Sequence, residues 1–243
     1  MGSQRDRIKV ILFQLRDTEE VKQIDYASFL RATKLSPAQL VAHDVVVSAP
    51  DVSILEGVSA LIIGGAKYSV LDTFPHFAEL IEVVKVAREK KIPILGVCFG
   101  AQFLAHNFGG EVIHDTPKQE YGTFEMQGSE EAWTDMLFAD APDRFLVQCA
   151  HHDRIIKLPP AAVVLASSSR CSIQAFTIPG NNIYGMQFHP ERNKADFERL
   201  LEIHGADFSS GETTLESVRS SLKETPDAES LVTKFIDRIV VQK

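Results

Sequence analysis

Cysteine is scarce in this 243-residue chain: Cys98, Cys149 and Cys171 are odd in number and form no C-x-x-C pair. That argues against a disulfide framework or a zinc ribbon and fits a reducing compartment, so a cytoplasmic location is expected. Long apolar runs are missing too. None approaches the ~20 residues that cross a bilayer, and no secretory leader is expected at the N-terminus. Basic blocks are absent, and 25 Lys and Arg stand against 33 Asp and Glu, a net charge of −8. Neither a nucleic-acid backbone nor a membrane is therefore an expected partner. There is no G-x-x-x-x-G-K-[ST] phosphate loop, no internal repeat and no low-complexity stretch. What remains, 44% hydrophobic and 24% charged residues, is ordinary for a globular protein of one large domain or one domain with an appendage.

Ile8–Leu15, Val41–Val47, Ala60–Ile63 and Ile92–Val97 read as buried strands. Between the first two, Val21, Ile24, Ala27 and Leu30 recur at helical spacing behind the capping pair Asp17 and Glu20. Thr73 is expected to cap a second helix, with Pro75 in its first turn and Phe77, Ile81, Val84 and Ala87 as its buried stripe. The alternation implies crossovers, and so an α/β fold with an open, mostly parallel sheet and helices on both faces. Ligands gather at the C-terminal strand ends of such sheets, where Gly64-Gly65 and Cys98 fall.

After Gly110 short strand-like pieces dominate: Thr123–Gln127, Phe145–Cys149, Val163–Ala166, Ile173–Thr177 and Ile183–Phe188, consistent with added antiparallel strands. Asp196–Ile203 returns to helix, the chain loosens over Gly205–Gly211, and two further helices follow. The last carries Leu231, Val232, Phe235, Ile236, Ile239 and Val240 on one face. The expected division is residues 1–204 as the principal domain and 205–243 as a helical extension packed on it.

The segment Ile92–Gln102 reads I-P-I-L-G-V-C-F-G-A-Q. A buried strand turning sharply into a helix over Ala101–Phe108 would present Cys98 at the turn, and Gly96 and Gly100 supply the small residues that so cramped a turn requires. A thiol at a helix N-terminus is expected to lose its proton more readily, whereas Cys149 and Cys171, in strand-like runs, are expected to be inert. Far downstream, Gln187-Phe188-His189-Pro190-Glu191 offers a base and a carboxylate to orient it.

Together these segments resemble the class I glutamine amidotransferases. Gly96, Cys98, Gly100 and Gln102 match that family's Gly-x-Cys-x-Gly-x-Gln elbow, and His189 and Glu191 match its His-Pro-Glu; the resemblance covers roughly residues 8–203. It implies a flavodoxin-like sheet fold and a Cys98–His189–Glu191 triad. Cys98 would attack the amide carbon of glutamine, His189 would carry the proton, and Glu191 would fix the imidazole tautomer. The oxyanion hole implied is the backbone N–H of Phe99 with that of Gly65 in the Gly64-Gly65 turn. Lys67-Tyr68-Ser69-Val70 is similar to the free-standing GMP-synthase-like members.

The resemblance further places Gly64, Gln102, Glu120, Tyr121, His151 and His152 at the glutamine site, with His152 standing where the family carries glycine. A His151-His152-Asp153 run also raises the question of a metal. Three consecutive residues point in different directions on a strand or turn, so neither a metal site nor a cofactor is expected. No Ser-Gly-Gly-x-Asp-Ser nucleotide loop is present, so ammonia is expected to pass to a separate acceptor or synthetase subunit.

The function expected is glutaminase-type hydrolysis of glutamine or of a γ-glutamyl compound. The alternatives are a γ-glutamyl peptidase or hydrolase acting alone, a non-catalytic amidotransferase-like subunit, and the intracellular-protease branch of flavodoxin-like folds. Retention of Cys98, His189 and Glu191 together argues against the non-catalytic reading, and the His-Pro-Glu pattern against the protease branch.

Overall fold

A computed structural model describes residues 3–208 and 213–242. The first half alternates strand and helix: β1 (Val10–Leu15), α1 (Glu19–Thr33), β2 (Leu40–Asp44), β3 (Ala60–Ala66), α2 (Phe77–Glu89), β4 (Ile94–Val97) and α3 (Phe99–Asn107). Seven strands follow: β5 (Glu111–His114), β6 (Glu120–Gly128), β7 (Arg144–His151), β8 (Asp153–Lys157), β9 (Val163–Ser167), β10 (Ala175–Ile178) and β11 (Ile183–Met186). The chain then becomes helical through α4 (Lys194–His204), α5 (Leu215–Ser221) and α6 (Pro226–Lys234), the last running on as a π-helical segment, Phe235–Val240.

Nine strands form one sheet in the order β2-β1-β3-β4-β11-β10-β9-β6-β7. The pairings from β2 through β11 are parallel and those from β11 to β7 antiparallel. Side chains alternate across a strand, so β1 sends Val10 and Leu12 to one face and Ile11 and Phe13 to the other. On the first face lie α1 and the C-terminal helix, through Phe29, Leu231, Val232, Phe235 and Ile236. On the second lie α2 and α3, through Leu80, Val84, Phe99 and Phe103. Among the described residues no helix is long and apolar enough to cross a membrane.

Several local expectations are corrected. α2 begins at Phe77 rather than after a Thr73 cap, because His76 sits in the left-handed region at φ 63°. Phe74 is drawn inward onto Tyr68, with ring centroids 4.5 Å apart, which takes the preceding residues off the helical path. The buried face of α2 is Leu80, Val83, Val84 and Ala87, leaving Phe77 and Ile81 only partly covered. Cys171 lies in the loop between β9 and β10, buried but outside any strand. β5 and β8, which the sequence does not mark as strands, pair with each other apart from the main sheet.

Candidate active site

β4 runs straight into α3, and Cys98 makes the turn at φ 52°, ψ −107°, a backbone region that only strong surroundings hold a non-glycine residue in. Those surroundings are tight. A Cβ at Gly96 would lie 2.5 Å from the carbonyl oxygen of Gly100, and one at Gly100 would collide with the carbonyl of Ile63. The Cys98 N–H is fixed by the Met186 carbonyl at 2.8 Å, and its thiol faces the Ala150 carbonyl at 3.8 Å.

Beside it, β3 carries a bulge. Phe13 pairs with Ile63 but Leu15 pairs with Ala66, so Gln14 alone faces the pair Gly64 and Gly65. A bulge re-aims the backbone locally. A Cβ at Gly65 would strike Arg16 Nη2 and lie 3.0 Å from His189 Cε1, so any larger residue there has to displace Arg16 and press on the imidazole.

His189 follows β11, held by its N–H on the Gln148 carbonyl at 2.8 Å. Its Nδ1 meets Glu191 Oε1 at 2.7 Å, and both side chains are buried. Beneath this pair lies a charge network. Asp25, from the buried face of α1, accepts Arg16 Nε at 2.6 Å and Arg192 Nη2 at 2.5 Å. Arg192 Nε also stands 3.4 Å from Glu191 Oε1, and Arg31 donates to the Glu191 carbonyl at 2.9 Å.

Burial raises the Asp25 carboxyl, but Arg16 and Arg192 outweigh it and hold it down at about 2. Burial pushes Glu191 up to about 7 against the pull of Arg192. Burial, reinforced by Arg192 and Arg16, lowers His189 well below its ordinary value. Burial pushes Cys98 up to about 11, opposed by the same two arginines.

Desolvation thus opposes the ionisation that a helix N-terminus is expected to favour at Cys98. Iodoacetamide should react slowly with Cys98 near neutrality, and about tenfold faster with each pH unit on approach to 11. A rate flat from pH 6 to 9 would instead reveal a preformed thiolate–imidazolium pair.

Cys98, Phe99, Gln102, Tyr121, His151 and His189 line one cavity of about 310 Å³, at the small end of the range for ligand pockets. His152 lines it as well. Gln102 builds its wall, donating Nε2 to the Asp153 carbonyl at 2.8 Å. His151 is buried and fixed, Nδ1 at 3.0 Å from that carbonyl and Nε2 at 3.2 Å from Glu120.

Glu120 does not reach the cavity. Its carboxylate is fully buried and bonded to Ser168 and Gln174, because the β6 side chain at that position turns into the sheet's interior. Neither Gly64 nor Gly65 is among the residues that line the cavity, and a Cβ at Gly64 would meet the Phe13 carbonyl and Phe29.

With this geometry in view, the profile of the family described as glutamine amidotransferase class-I matches residues 27–202. The chain belongs to the class I glutamine amidotransferases. It is 35% identical over 145 residues to the glutamine-hydrolyzing GMP synthase of Thermosipho africanus, covering 59% of this chain and 26% of that protein. It is 31% identical over 187 residues to that of Streptococcus pneumoniae, covering 73% of this chain and 34% of that protein. The chain thus spans about a quarter to a third of the length of these curated relatives. A solved glutamine amidotransferase from Thermotoga maritima shares its fold with a TM-score of 0.76 at 20% identity, covering 96% of this chain and 98% of that one.

Within this amidotransferase, sequence reasoning missed Arg16, Asp25 and Arg192. Two signals were present: a carboxylate between Ile24 and Ser28 on the buried face of α1, and an arginine directly after Glu191.

Proposed function

We propose that the protein hydrolyses the γ-amide of glutamine, or of a γ-glutamyl compound, through a Cys98 thioester, and delivers the ammonia to an acceptor site outside these 243 residues. One observation carries the reading: a strained elbow cysteine opens into the cavity that also holds a histidine bonded to a buried carboxylate. The Cys98 proton passes to His189 as sulfur adds to the amide carbon. The oxyanion so formed is met by the Phe99 N–H, with the Gly65 N–H as second donor. Collapse breaks the C–N bond, His189 returns the proton to the departing ammonia, and a thioester remains. Water, deprotonated by His189, then attacks the thioester and frees glutamate and the thiol. Glu191 holds the imidazole orientation throughout and offsets its transient charge.

The glutamine-hydrolyzing GMP synthases that the chain resembles support a purine-nucleotide acceptor. The test is ammonia release from glutamine by the purified chain, beside a γ-glutamyl dipeptide, with labelling by a γ-glutamyl diazoketone mapped by mass spectrometry. Slow glutamine turnover with label on Cys98 alone is expected. Label on Cys149 or Cys171 would overturn the nucleophile. Fast turnover of the dipeptide would turn the reading to a γ-glutamyl peptidase working alone.

A further inference from the structure

Where the small β5–β8 sheet meets the rim of the cavity, three potential metal ligands converge. His114 ends β5 and is the register partner of Asp153, the first residue of β8. His152 occupies the bend just before β8, so the alternation of a strand does not bind it, and it turns to the same side as Asp153. Its neighbour His151 points inward to Glu120. Consecutive residues do diverge at 151 and 152, but the third ligand arrives from another strand. Nδ1 of His114 lies 2.7 Å, and Nδ1 of His152 2.6 Å, from the same oxygen, Asp153 Oδ1. The three ligand atoms lie within 4.8 Å of one another.

We propose that His114, His152 and Asp153 form a site for a divalent transition metal of the zinc class, with water completing the coordination. Two imidazoles and one carboxylate make a mixed nitrogen–oxygen set, which suits zinc rather than calcium or magnesium. Tetrahedral bonds of about 2.0–2.1 Å need ligand atoms about 3.3 Å apart, so each imidazole nitrogen has to draw back about 0.6 Å from the Asp153 oxygen to admit an ion. The imidazole side chains, 55% and 46% exposed, can make that movement, and they leave the ion a path from solvent.

The carboxylate is the fixed member. Asp153 is buried, and its Oδ2 accepts the Ser69 hydroxyl at 2.5 Å. Ser69 Oγ in turn accepts the Leu71 N–H at 3.1 Å. An outer hydrogen bond of this kind orients a ligating carboxylate. The other convergent set among the described residues, Glu120, Cys149 and His151, is buried throughout, and its carboxylate is already bonded to Ser168 and Gln174. Because the Asp153 carbonyl also holds Gln102, an ion bound here would brace the wall between the Ser69 loop and the cavity.

The test is zinc binding to the full chain by competition with a chromophoric chelator, with cobalt(II) absorption reporting the geometry, in the wild type and in Cys98→Ser. One equivalent of zinc is expected with micromolar or tighter affinity in both, together with the visible bands of four-coordinate cobalt. His114→Ala and His152→Ala should each weaken binding at least about tenfold, with His106→Ala as an unaffected control. If one of these variants fails to fold, the other decides. The proposal is overturned by the absence of saturable binding, by binding that survives both histidine substitutions, or by binding lost in Cys98→Ser, which would place the ion on the catalytic thiol.

Discussion

His189→Ala is expected to lower glutaminase turnover about as far as Cys98→Ala does, on the order of 10⁴-fold or more, whereas Glu191→Gln retains partial activity. The asymmetry follows from the geometry. Cys98 is held up at about 11 by burial, so near neutrality it reaches the nucleophilic form only by handing its proton to a neighbouring base. His189 is the imidazole that shares its cavity with a carboxylate bonded behind it, whereas His151 has its Nδ1 on the Asp153 carbonyl. A glutamine at 191 can still accept from Nδ1, and Arg31 still grips the backbone of that loop, so orientation survives while the charge is lost. Coupled detection of glutamate release would measure all three variants. Wild-type turnover in His189→Ala would remove it as the base.

The second large effect is on stability. Asp25→Ala leaves the buried Arg192 guanidinium and the partly buried Arg16 without their shared carboxylate. Removing one partner of a buried pair costs about 3–5 kcal/mol, and the urea midpoint should fall accordingly. Asp25→Asn, which keeps the shape and can still accept a hydrogen bond, should fall less. The pH dependence has a definite sign. The Asp25 carboxyl is lowered from 3.8 to about 2 in the folded state, so its contribution is fully present above pH ~4 and disappears as pH falls through about 2. The slope of stability with pH in that window should be shallower in Asp25→Asn. An unchanged urea midpoint in Asp25→Ala would mean that the network is not what anchors α1 beneath the site.

The contrast between these two sets of residues explains what was legible in the sequence. Cys98 and its glycines form one contiguous motif, as do His189 and Glu191, because a tight turn and a strand end impose their demands on neighbouring residues. The parallel half of the sheet was equally readable, since strands such as Ala60–Ala66 are buried on both faces and leave unbroken apolar runs. Arg16, Asp25 and Arg192 come from a strand end, a helix interior and a loop, and only folding makes them neighbours. β5 and β8 bury few side chains and so leave no pattern to read. Glu120 illustrates the opposite failure: its motif was visible, but a motif does not say whether a side chain turns toward a cavity or away from it.

β11 lies in the sheet between β4 and β10, although every element from α3 through β10 separates it from β4 along the chain. Domains begin to fold as the ribosome delivers them from the N-terminus, and β1 to β4 can pair at that stage. The outer edge of β4 then has no neighbour. Until Ile183–Met186 and the residues after it emerge, Cys98 lacks both the Met186 carbonyl that pins its amide and the neighbouring His189. In the proposed mechanism a nascent chain would therefore carry Cys98 without its base until the last parallel strand is in place. The same order leaves a parallel edge open for much of synthesis. A chain that stops short of β11 keeps that edge as a template for pairing with other molecules, so self-association, read by light scattering, is the expected outcome of such a truncation.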